Sequence, residues 1–345
     1  MFLKRLSLAG FRNYKERREF SFSDSLNLVL GPNTSGKTNL LEAIYLLSTG
    51  ESFRAEKVSQ MINHQALVAH LEALVLDDGQ EIKLASVISR GEINGQRVPL
   101  RRFSVDGVSR QQRNFAGSLL TVLFSPQNLD IVTDSPSFRR QFLNEVLIQV
   151  DRDYYRAYLS YQKGVRSRNR VLEQIRNRQS SEKALFFWDR LLLENGQFLI
   201  KKREELIDFI NQQESLAGYR LVYYPSVISP RELARRRQDE IAAAKTLFGP
   251  HRDDFSVFGN SHNLAIFGSR GEQRLSVLWL KLGQLKFLEQ ATGRQPVLLL
   301  DDIFSELDEE HKKLVVASFI DHQTLVTSAE EITLDYQAKM ILLGE

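Results

Sequence analysis

The chain has 345 residues, of which 46 are Lys or Arg and 43 are Asp or Glu, so its formal charge is only +3, and it contains no cysteine. The lack of cysteine excludes disulfides, thiolate zinc sites, iron–sulfur clusters and cysteine nucleophiles. The length predicts about two domains. Lys4 and Arg5 interrupt the apolar start, and no run approaches the roughly 18 apolar residues of a membrane span. These features predict a soluble, cytoplasmic protein that does not act at a membrane.

The predicted elements change in character along the chain. Short strands occupy the first 30 residues, and the last of them, 26–30, ends at Gly31. A helical period follows at 39–47, and from 67 to 108 short β-type segments alternate with turn signals, Asp78-Gly79 and Asp106-Gly107 among them. The remaining predicted elements are several helices over 137–244 with a break at Pro225 and Pro230, a strand over 255–267, a helix over 273–290, a strand over 296–300, a helix over 309–320 and a strand over 324–326.

This order predicts an α/β fold in which one lobe is split in sequence by a mostly helical second lobe. The split lobe is expected to comprise residues 1–135 and 246–345, and the helical lobe residues 136–245. Within the helical lobe, Leu185, Trp188, Leu192 and Leu199 recur at helical spacing and predict one buried seam, which 206–210 extends.

Basic residues are concentrated in three stretches despite the small net charge. One such stretch is typical of a solvated helix or hairpin face. Three in a nearly neutral chain favour an anionic polymer as partner, because clustered cations release counterions from phosphates. The stretches hold Lys163, Arg166, Arg168, Arg170, Arg176 and Arg178, then Arg97, Arg101, Arg102, Arg110 and Arg113, and finally Arg235, Arg236 and Arg237.

A phosphate-binding loop of the pattern G-x-x-x-x-G-K-[ST] follows the strand over 26–30 and opens the next helix. The glycines let backbone N–H groups surround a phosphate, and the helix N-terminus adds positive potential. Lys37 is predicted to reach the β- and γ-phosphates and the Thr38 hydroxyl to bind Mg²⁺. A chance glycine-rich turn is the alternative, but the strand–loop–helix context disfavours it. The loop consists of Gly31, Pro32, Asn33, Thr34, Ser35, Gly36, Lys37 and Thr38.

The apolar run 297–300 ends in Asp301 and Asp302. Parallel sheets place their ligands at the carboxyl ends of such strands, so Asp301 is predicted to hold the Mg²⁺ shell. Asp302 is predicted to orient and polarise an attacking water. Without the phosphate loop, two aspartates after an apolar run would indicate only a strand-end turn.

Three further motifs carry weaker signals. Ser269 and Gly271 open the predicted helix over 273–290, where they could bind an anion, although Ser269 followed by Glu272 also fits a plain helix cap. Gln127 lies between a strand-like run and the helical lobe. His251 stands beside Arg252, Asp253 and Asp254, and a hydrogen-bonded structural network is favoured there over a metal or acid–base site.

The order of these motifs, completed by Ser305-Glu306-Leu307-Asp308, resembles that of ABC-type ATPase heads, and in particular their DNA-repair branch with SMC-like heads. Within that branch the match narrows to the RecF family of bacterial recombination mediators, and it covers nearly the whole chain. Besides the phosphate loop, the likeness rests on Phe11-Arg12-Asn13-Tyr14, on Ser125–Asn144 with Ser135-Pro136 and Arg139-Arg140, on Gly249-Pro250-His251-Arg252-Asp253-Asp254, and on Leu299–Asp308.

The resemblance implies an ATP-gated clamp. In such heads two subunits close around two ATP molecules, so Ser269 and Gly271 of one copy would contact the γ-phosphate held by Lys37 of the other. Gln127 would reach the γ-phosphate and its metal and report them to the helical lobe, and Arg12 would touch the phosphates. Asp308 would communicate across the interface. Members bind DNA at gaps and duplex–single-strand junctions and act with RecR and RecO in recombinase loading.

Several departures and alternatives qualify this expectation. Asp302 replaces the Glu of most ABC ATPases, and its shorter side chain predicts slow ATP turnover. A transporter ATPase subunit would carry a switch His where this chain has Thr327-Ser328. A long SMC scaffold needs far more coiled coil than the chain holds, and an added nuclease domain would need a carboxylate-rich site after Asp308. Gly268 and Asp134 also depart from the family pattern.

Overall fold

The computed structural model describes residues 1–93, 95–215, 218–303, 321–329 and 337–344. The predicted helix over 309–320 and the predicted residues Ser305, Glu306, Leu307 and Asp308 lie outside these ranges.

Sixteen strands are assigned within the described ranges. They are β1 Phe2–Ala9, β2 Arg18–Ser21, β3 Leu26–Leu30, β4 Val68–Asp77, β5 Gln80–Ser89, β6 Glu92–Ile93, β7 Gln96–Arg97, β8 Arg101–Val105, β9 Val108–Arg110, β10 Thr121–Phe124, β11 Arg220–Tyr224, β12 Asp254–Gly259, β13 His262–Asn263, β14 Val297–Asp301, β15 Thr324–Ser328 and β16 Lys339–Leu342.

Ten α-helices are assigned in the same part of the chain. They are α1 Lys37–Thr49, α2 Gln112–Phe115, α3 Asp130–Thr133, α4 Pro136–Val150, α5 Arg152–Arg176, α6 Phe186–Asn211, α7 Pro230–Arg235, α8 Arg237–Ala243, α9 Leu264–Phe267 and α10 Arg270–Thr292. None of them has the length and apolar content that a membrane span requires.

The chain divides into two compact units, Met1–Asn128 with Gln284–Glu345 and Leu129–Gly283. These bounds differ from the predicted 136 and 245. The inserted unit is larger because β11 pairs with β12, and these two strands pack on α6 and α4. The strand β11 was missed within a span that was predicted to be helical.

The first unit contains two sheets with α1 packed against both of them. One sheet is six-stranded and antiparallel, with the order β2-β1-β4-β5-β8-β9, and its hairpins turn at Asp78-Gly79 and Asp106-Gly107 with positive φ, as predicted. The other has the order β10-β14-β15-β3-β16, and all its pairings are parallel. Because α1 lies against both sheets, it is apolar on almost every side, and 11 of its 13 residues are buried.

The parallel sheet determines where the predicted motifs meet. Every residue of β14 and of β15 is buried, as expected for strands covered on both faces. The phosphate loop follows β3, Asp301 ends β14, and Gln127 lies in the turn after β10. All three strands run the same way, so these positions lie at one edge of the sheet.

In the second unit the long helices α5 and α6 pack against each other, and the three-stranded sheet β11-β12-β13 contacts α6 through β11 and α4 through β12. The predicted seam is confirmed at Leu185, Leu192 and Leu199, which are fully buried, whereas Trp188 is partly exposed. Pro230 begins α7 at a position that needs no backbone donor, and the Ser229 hydroxyl caps the helix.

Candidate phosphate-binding site

The loop between β3 and α1 has the backbone of an anion site. Gly36 is the residue that precedes α1, and its φ of 107° lies in a region that side chains disfavour. A Cβ on Gly36 would lie 2.6 and 2.7 Å from the amide atoms of Asn13. Within the described ranges no side chain caps α1, and its first turn contains no acid. The first N–H groups of the helix are therefore available to a negatively charged ligand.

Lys37 is buried at the start of α1, and its ammonium group points back into the loop. Its Nζ donates to the carbonyl oxygens of Gly31 at 2.6 Å and Pro32 at 3.0 Å. The Ser35 hydroxyl is buried and has no hydrogen-bond partner in the part of the chain that the structure describes. A cation held beside an unsatisfied hydroxyl and a helix N-terminus is a donor set that fits a phosphate group.

Two residues from the turn after β1 hold the loop in place. The Asn13 amide donates to the Ser35 carbonyl at 3.0 Å and accepts from the Asn39 amide at 2.8 Å. The Tyr14 hydroxyl donates to the Gly36 carbonyl at 3.1 Å, and burial raises the pKa of this phenol. The sequence analysis quoted both residues only as part of the family likeness, so their positioning role was missed.

Arg12, which the resemblance assigned to the nucleotide phosphates, is engaged elsewhere in this structure. Its guanidinium donates from Nε and Nη2 to the Glu42 carboxylate at 2.8 and 2.6 Å, and from Nη1 to the Gln60 carbonyl at 2.7 Å. Glu42 is fully buried on α1, so the pair ties the turn to the helix that carries Lys37. Phosphate contact by Arg12 stays a prediction.

Asp301 meets Thr38 as the sequence analysis expected. Its Oδ1 accepts from the Thr38 hydroxyl at 2.9 Å and from the Thr327 hydroxyl at 2.9 Å. Burial raises the pKa of Asp301, although these two hydrogen bonds and the charge of Arg54 oppose the shift. Hydroxyl and carboxylate oxygens are hard ligands of the kind that Mg²⁺ prefers, so the residues fit the predicted metal.

Thr327 also has a role at the site that its place in the sequence did not predict. It lies on β15, the strand between β3 and β14, and therefore between the two halves of the site. Besides donating to Asp301, its hydroxyl oxygen accepts from the backbone N–H of Asp302 at 3.0 Å. Asp302 is exposed and has a φ of 52°. Thr327 stands where a switch His was expected for a transporter subunit. Its hydroxyl instead bonds the Asp301 carboxylate and the Asp302 backbone N–H.

Two further polar residues, Gln127 and Arg54, belong to the surroundings of the site. Gln127 is exposed in the short turn that follows β10, the neighbour of β14. Arg54 donates to the Asn39 side chain at 3.1 Å, and its charge is felt by Asp301. Arg54 was not predicted, because no motif includes it.

The Ser269 segment belongs to the second unit, where it forms the start of α10. The Ser269 backbone N–H and hydroxyl both donate to the Glu272 carboxylate at 2.8 Å, which lowers the pKa of that carboxyl. The Glu272 N–H returns a bond to the Ser269 hydroxyl at 3.3 Å, so the predicted helix cap is confirmed. Gly271 is exposed, and a Cβ there would meet no atom within 4 Å. The start of α10 is therefore capped by its own residues and still has open space beside Gly271.

The network predicted around His251 is also confirmed. Its Nδ1 lies 2.8 Å from the Tyr161 hydroxyl and its Nε2 lies 3.1 Å from the Thr246 carbonyl. Because that carbonyl can only accept, Nε2 carries the proton and Nδ1 accepts from Tyr161. Burial lowers the pKa of His251, which favours the neutral ring. The neighbouring Asp253 and Asp254 bind Arg203 and Arg139.

The three basic stretches differ once their contacts are known. Arg168 is fully buried and pairs with Glu240 and Asp189, so it is not available to a partner. The third stretch is partly compensated, since Arg235 and Arg236 share Glu232 and Arg237 pairs with Asp189. Arg101 pairs with Glu51. Arg235 and Arg236 are exposed despite their ion pairs; the exposed residues of the stretches that form no ion pair with a described residue are Lys163, Arg166, Arg170, Arg176 and Arg178, together with Arg97, Arg102 and Arg110.

Comparison with known proteins decides the family. The model of the RecF/RecN/SMC N-terminal domain matches residues 2–343. A protein of Lachnoclostridium phytofermentans described as "DNA replication and repair protein RecF" is 32% identical over 340 residues, which is 95% of this chain and 92% of that protein. One of Roseiflexus castenholzii with the same description is 35% identical over 369 residues, covering 95% and 93%. The chain belongs to the RecF family.

Solved structures agree with this assignment. The structure described as the recombination mediator protein RecF with ATP, in the RecFOR pathway, has a TM-score of 0.88 and 30% identity to this chain, and the match covers 97% of this chain and 93% of the other. An Smc head domain from Pyrococcus furiosus has a TM-score of 0.51 at 15% identity, which shows the shared head fold alone. The predicted RecF resemblance and the SMC-head-like α/β fold are therefore confirmed.

Proposed function

We propose that this RecF-family chain is an ATP-dependent DNA-binding protein of recombinational repair and replication restart. The observation that carries the proposal is the junction of the Gly36–Lys37 loop with the acidic strand, where Thr38 and Asp301 meet at 2.9 Å. The parallel sheet brings these two motifs, 263 positions apart, to one edge, and a hydroxyl and a carboxylate that meet beside a phosphate-binding loop fit a shared magnesium nucleotide. A relative of this family is described with ATP, which fits that ligand.

The residues divide the work of holding a magnesium nucleotide. Gly31 and Pro32 shape the start of the loop, and Asn33, Thr34, Ser35 and Gly36 supply the backbone and hydroxyl donors that surround the phosphates. Lys37 exchanges its carbonyl partners for phosphate oxygens. Thr38, Asp301 and Gln127 provide oxygen ligands for Mg²⁺, which when bound neutralises charge on the phosphates.

Hydrolysis is assigned to Asp302 and Gln127. Asp302 polarises the attacking water, and the Thr327 hydroxyl fixes its backbone beside Asp301. A short carboxylate side chain reaches less far than Glu would, so turnover is slow and the bound triphosphate persists. Bound ATP then controls the conformation of the protein, and rapid hydrolysis is not required for its action.

The switch is a homodimer that forms around ATP. Ser269 and Gly271 of one copy would cap the γ-phosphate held by Lys37 of the second copy, which the open surface beside Gly271 supports. Because ATP then binds the dimer better than the monomer, it shifts the population toward the closed form. The exposed cations of the first two basic stretches give that form its affinity for duplex DNA and for duplex–single-strand junctions. RecR and RecO are the expected partners, in keeping with the RecFOR pathway named for the relative.

A paired measurement of mass and DNA binding tests this proposal. Light scattering should show ATP-dependent dimers, and fluorescence anisotropy should show ATP-dependent DNA binding whose log affinity falls with log salt by about 0.9 per phosphate contacted. Lys37→Ala should abolish both ATP effects, whereas Lys201→Ala, which removes an exposed lysine on α6, should leave them unchanged. DNA affinity that is indifferent to ATP and to Lys37 would contradict the proposal.

A further inference from the structure

The second unit exposes two adjacent aromatic side chains that the proposed nucleotide switch does not use. Phe186 is 75% exposed and Phe187 62% exposed, at the first turn of α6. Leu185, immediately before them, is fully buried, so the backbone is anchored while both rings face solvent. Trp188 packs edge-on against Phe187 with ring centroids 4.9 Å apart. Neighbouring exposed phenylalanines on a well-anchored turn suggest a binding surface.

The pair lies at the tip of a helical hairpin. The helices α5 and α6 pack closely, with Gly164 against the side chains of Leu191 and Leu192. Arg168 on α5 binds Asp189 on α6 at 2.8 Å, so the last two turns of α5 run beside the residues that precede Asp189. Phe186 precedes Asp189 by three residues, so it lies about 4.5 Å further along the axis toward the tip.

Three cations lie in the chain segment that leads from the end of α5 to the aromatic pair. Arg176 is the last residue of α5, Arg178 follows it with a φ of 58°, and Lys183 lies three residues before Phe186. All three are exposed, and none forms an ion pair with a residue that the structure describes. The nearest acid in the connection, Glu182, accepts a hydrogen bond from Gln238. The connection between α5 and the aromatic pair therefore carries three exposed cations and one acid, Glu182, so its net charge is positive.

We propose that this tip, comprising Arg176, Arg178, Lys183, Phe186 and Phe187, binds unpaired nucleotides of single-stranded DNA. Bases stack on the exposed rings, and the three cations hold the flanking phosphates, the combination that single-strand binding surfaces use. A fully paired duplex keeps its bases inside and offers only phosphates to such a tip. The inference rests on the proposed binding of duplex–single-strand junctions and assigns a site to the single-stranded arm of such a junction.

The test compares three DNA probes in the presence of ATP: a blunt duplex, the same duplex with a thymidine extension, and the same duplex with an extension of abasic units. The abasic extension keeps the phosphates and removes the bases, so it isolates stacking. We expect the thymidine extension to be bound about tenfold more tightly than the abasic one. Phe186→Ala/Phe187→Ala should remove that difference and leave blunt-duplex binding unchanged. Phe186→Leu/Phe187→Leu, which keeps the surface apolar, should behave in the same way.

Trp188 supplies a local readout. In a Trp279→Phe background it is the single tryptophan of the chain, because the sequence has only two. Its fluorescence should be quenched by the thymidine extension and not by the abasic one. Val227→Ala, which trims another exposed apolar residue of the same unit, is the matched control and should change nothing.

The outcomes separate this inference from the proposed function. Equal affinity for the thymidine and abasic extensions, or a full preference in the double variant, would overturn the stacking site while leaving ATP-dependent duplex binding intact. A double variant that alters self-association but not DNA binding would identify the tip as a protein contact and also overturn the inference. ATP-dependent binding to none of the three probes would overturn the proposed function and the inference with it.

Discussion

Replacing Arg203 with Met is expected to destabilise the second unit severely. The Arg203 side chain is 2% exposed and its partner Asp253 is completely buried. Its guanidinium donates to Asp253 at 2.7 Å, to the Pro250 carbonyl at 2.6 Å, to Asn144 at 2.9 Å and to the Tyr154 hydroxyl at 3.1 Å. These bonds join α6 to α4, to α5 and to the Gly249–Asp254 segment.

The magnitude follows from what the substitution leaves behind. Without Arg203, Asp253 keeps the Ser226 N–H at 2.7 Å and the Tyr223 hydroxyl, but it has lost its buried counter-charge. Removing one member of a buried ion pair costs about 3–5 kcal/mol, a large share of the roughly 5–15 kcal/mol that stabilises a typical domain. Arg203→Met/Asp253→Asn removes both charges and should recover at least about 1 kcal/mol of that loss.

Urea denaturation followed by tryptophan fluorescence measures the effect in the right place, because both tryptophans, Trp188 and Trp279, lie in the second unit. With an m-value of about 2 kcal/mol per molar urea, Arg203→Met should lower the midpoint by about 2 M. The control is Arg190→Met, which breaks an exposed pair with Glu194 and should leave the midpoint nearly unchanged.

Two results would refute this reasoning. A midpoint for Arg203→Met within error of the control would mean that the buried pair contributes nothing beyond a surface pair. A double variant whose loss equals the sum of the two single losses would mean that Arg203 and Asp253 act independently.

Three further predictions follow from buried or strained positions. Burial lowers the pKa of Lys281 to about 8. Between that pKa and the unfolded value of about 10.4, Lys281 is protonated only in the unfolded chain, so the free energy of unfolding should rise with pH across this window. Lys281→Met should lack this rise. In urea titrations at pH 7 it should be more stable than wild type, by at most about 3 kcal/mol. Thr327→Val leaves Asp301 without one donor and the next backbone N–H without its acceptor, and should slow ATP hydrolysis in a phosphate-release assay more than it weakens nucleotide binding. Gly36→Ala should abolish nucleotide binding in a fluorescent-nucleotide titration, whereas Gly79→Ala, which has a similar φ but open space, should only lower the melting temperature.

The elements whose signals are contiguous in sequence were predictable. The phosphate loop, the apolar strand before it and the acidic strand at 297–301 are each defined by neighbouring residues, and the parallel sheet brings their ends to one edge. The cap at Ser269 could be predicted for the same reason, because its partner Glu272 is three residues away. The strand β11 could not, since five residues carry little periodicity and its pairing partner β12 begins 30 positions later.

The sequence by itself determined the candidate site: the glycine loop, Lys37, Thr38 and the two aspartates each lie within a short motif whose geometry the backbone sets locally. Only the tertiary structure decided which other residues serve that site. Asn13 hydrogen-bonds the loop residue Ser35, 22 positions away in the sequence, and Thr327 hydrogen-bonds Asp301, 26 positions away. Neither residue belongs to the phosphate-loop motif or to the acidic strand. It also separated the buried Arg168 from the exposed Arg176, although both stand in one basic stretch. The physical reason is that charge is a property of a residue, whereas its pairing and burial depend on elements far away in the chain.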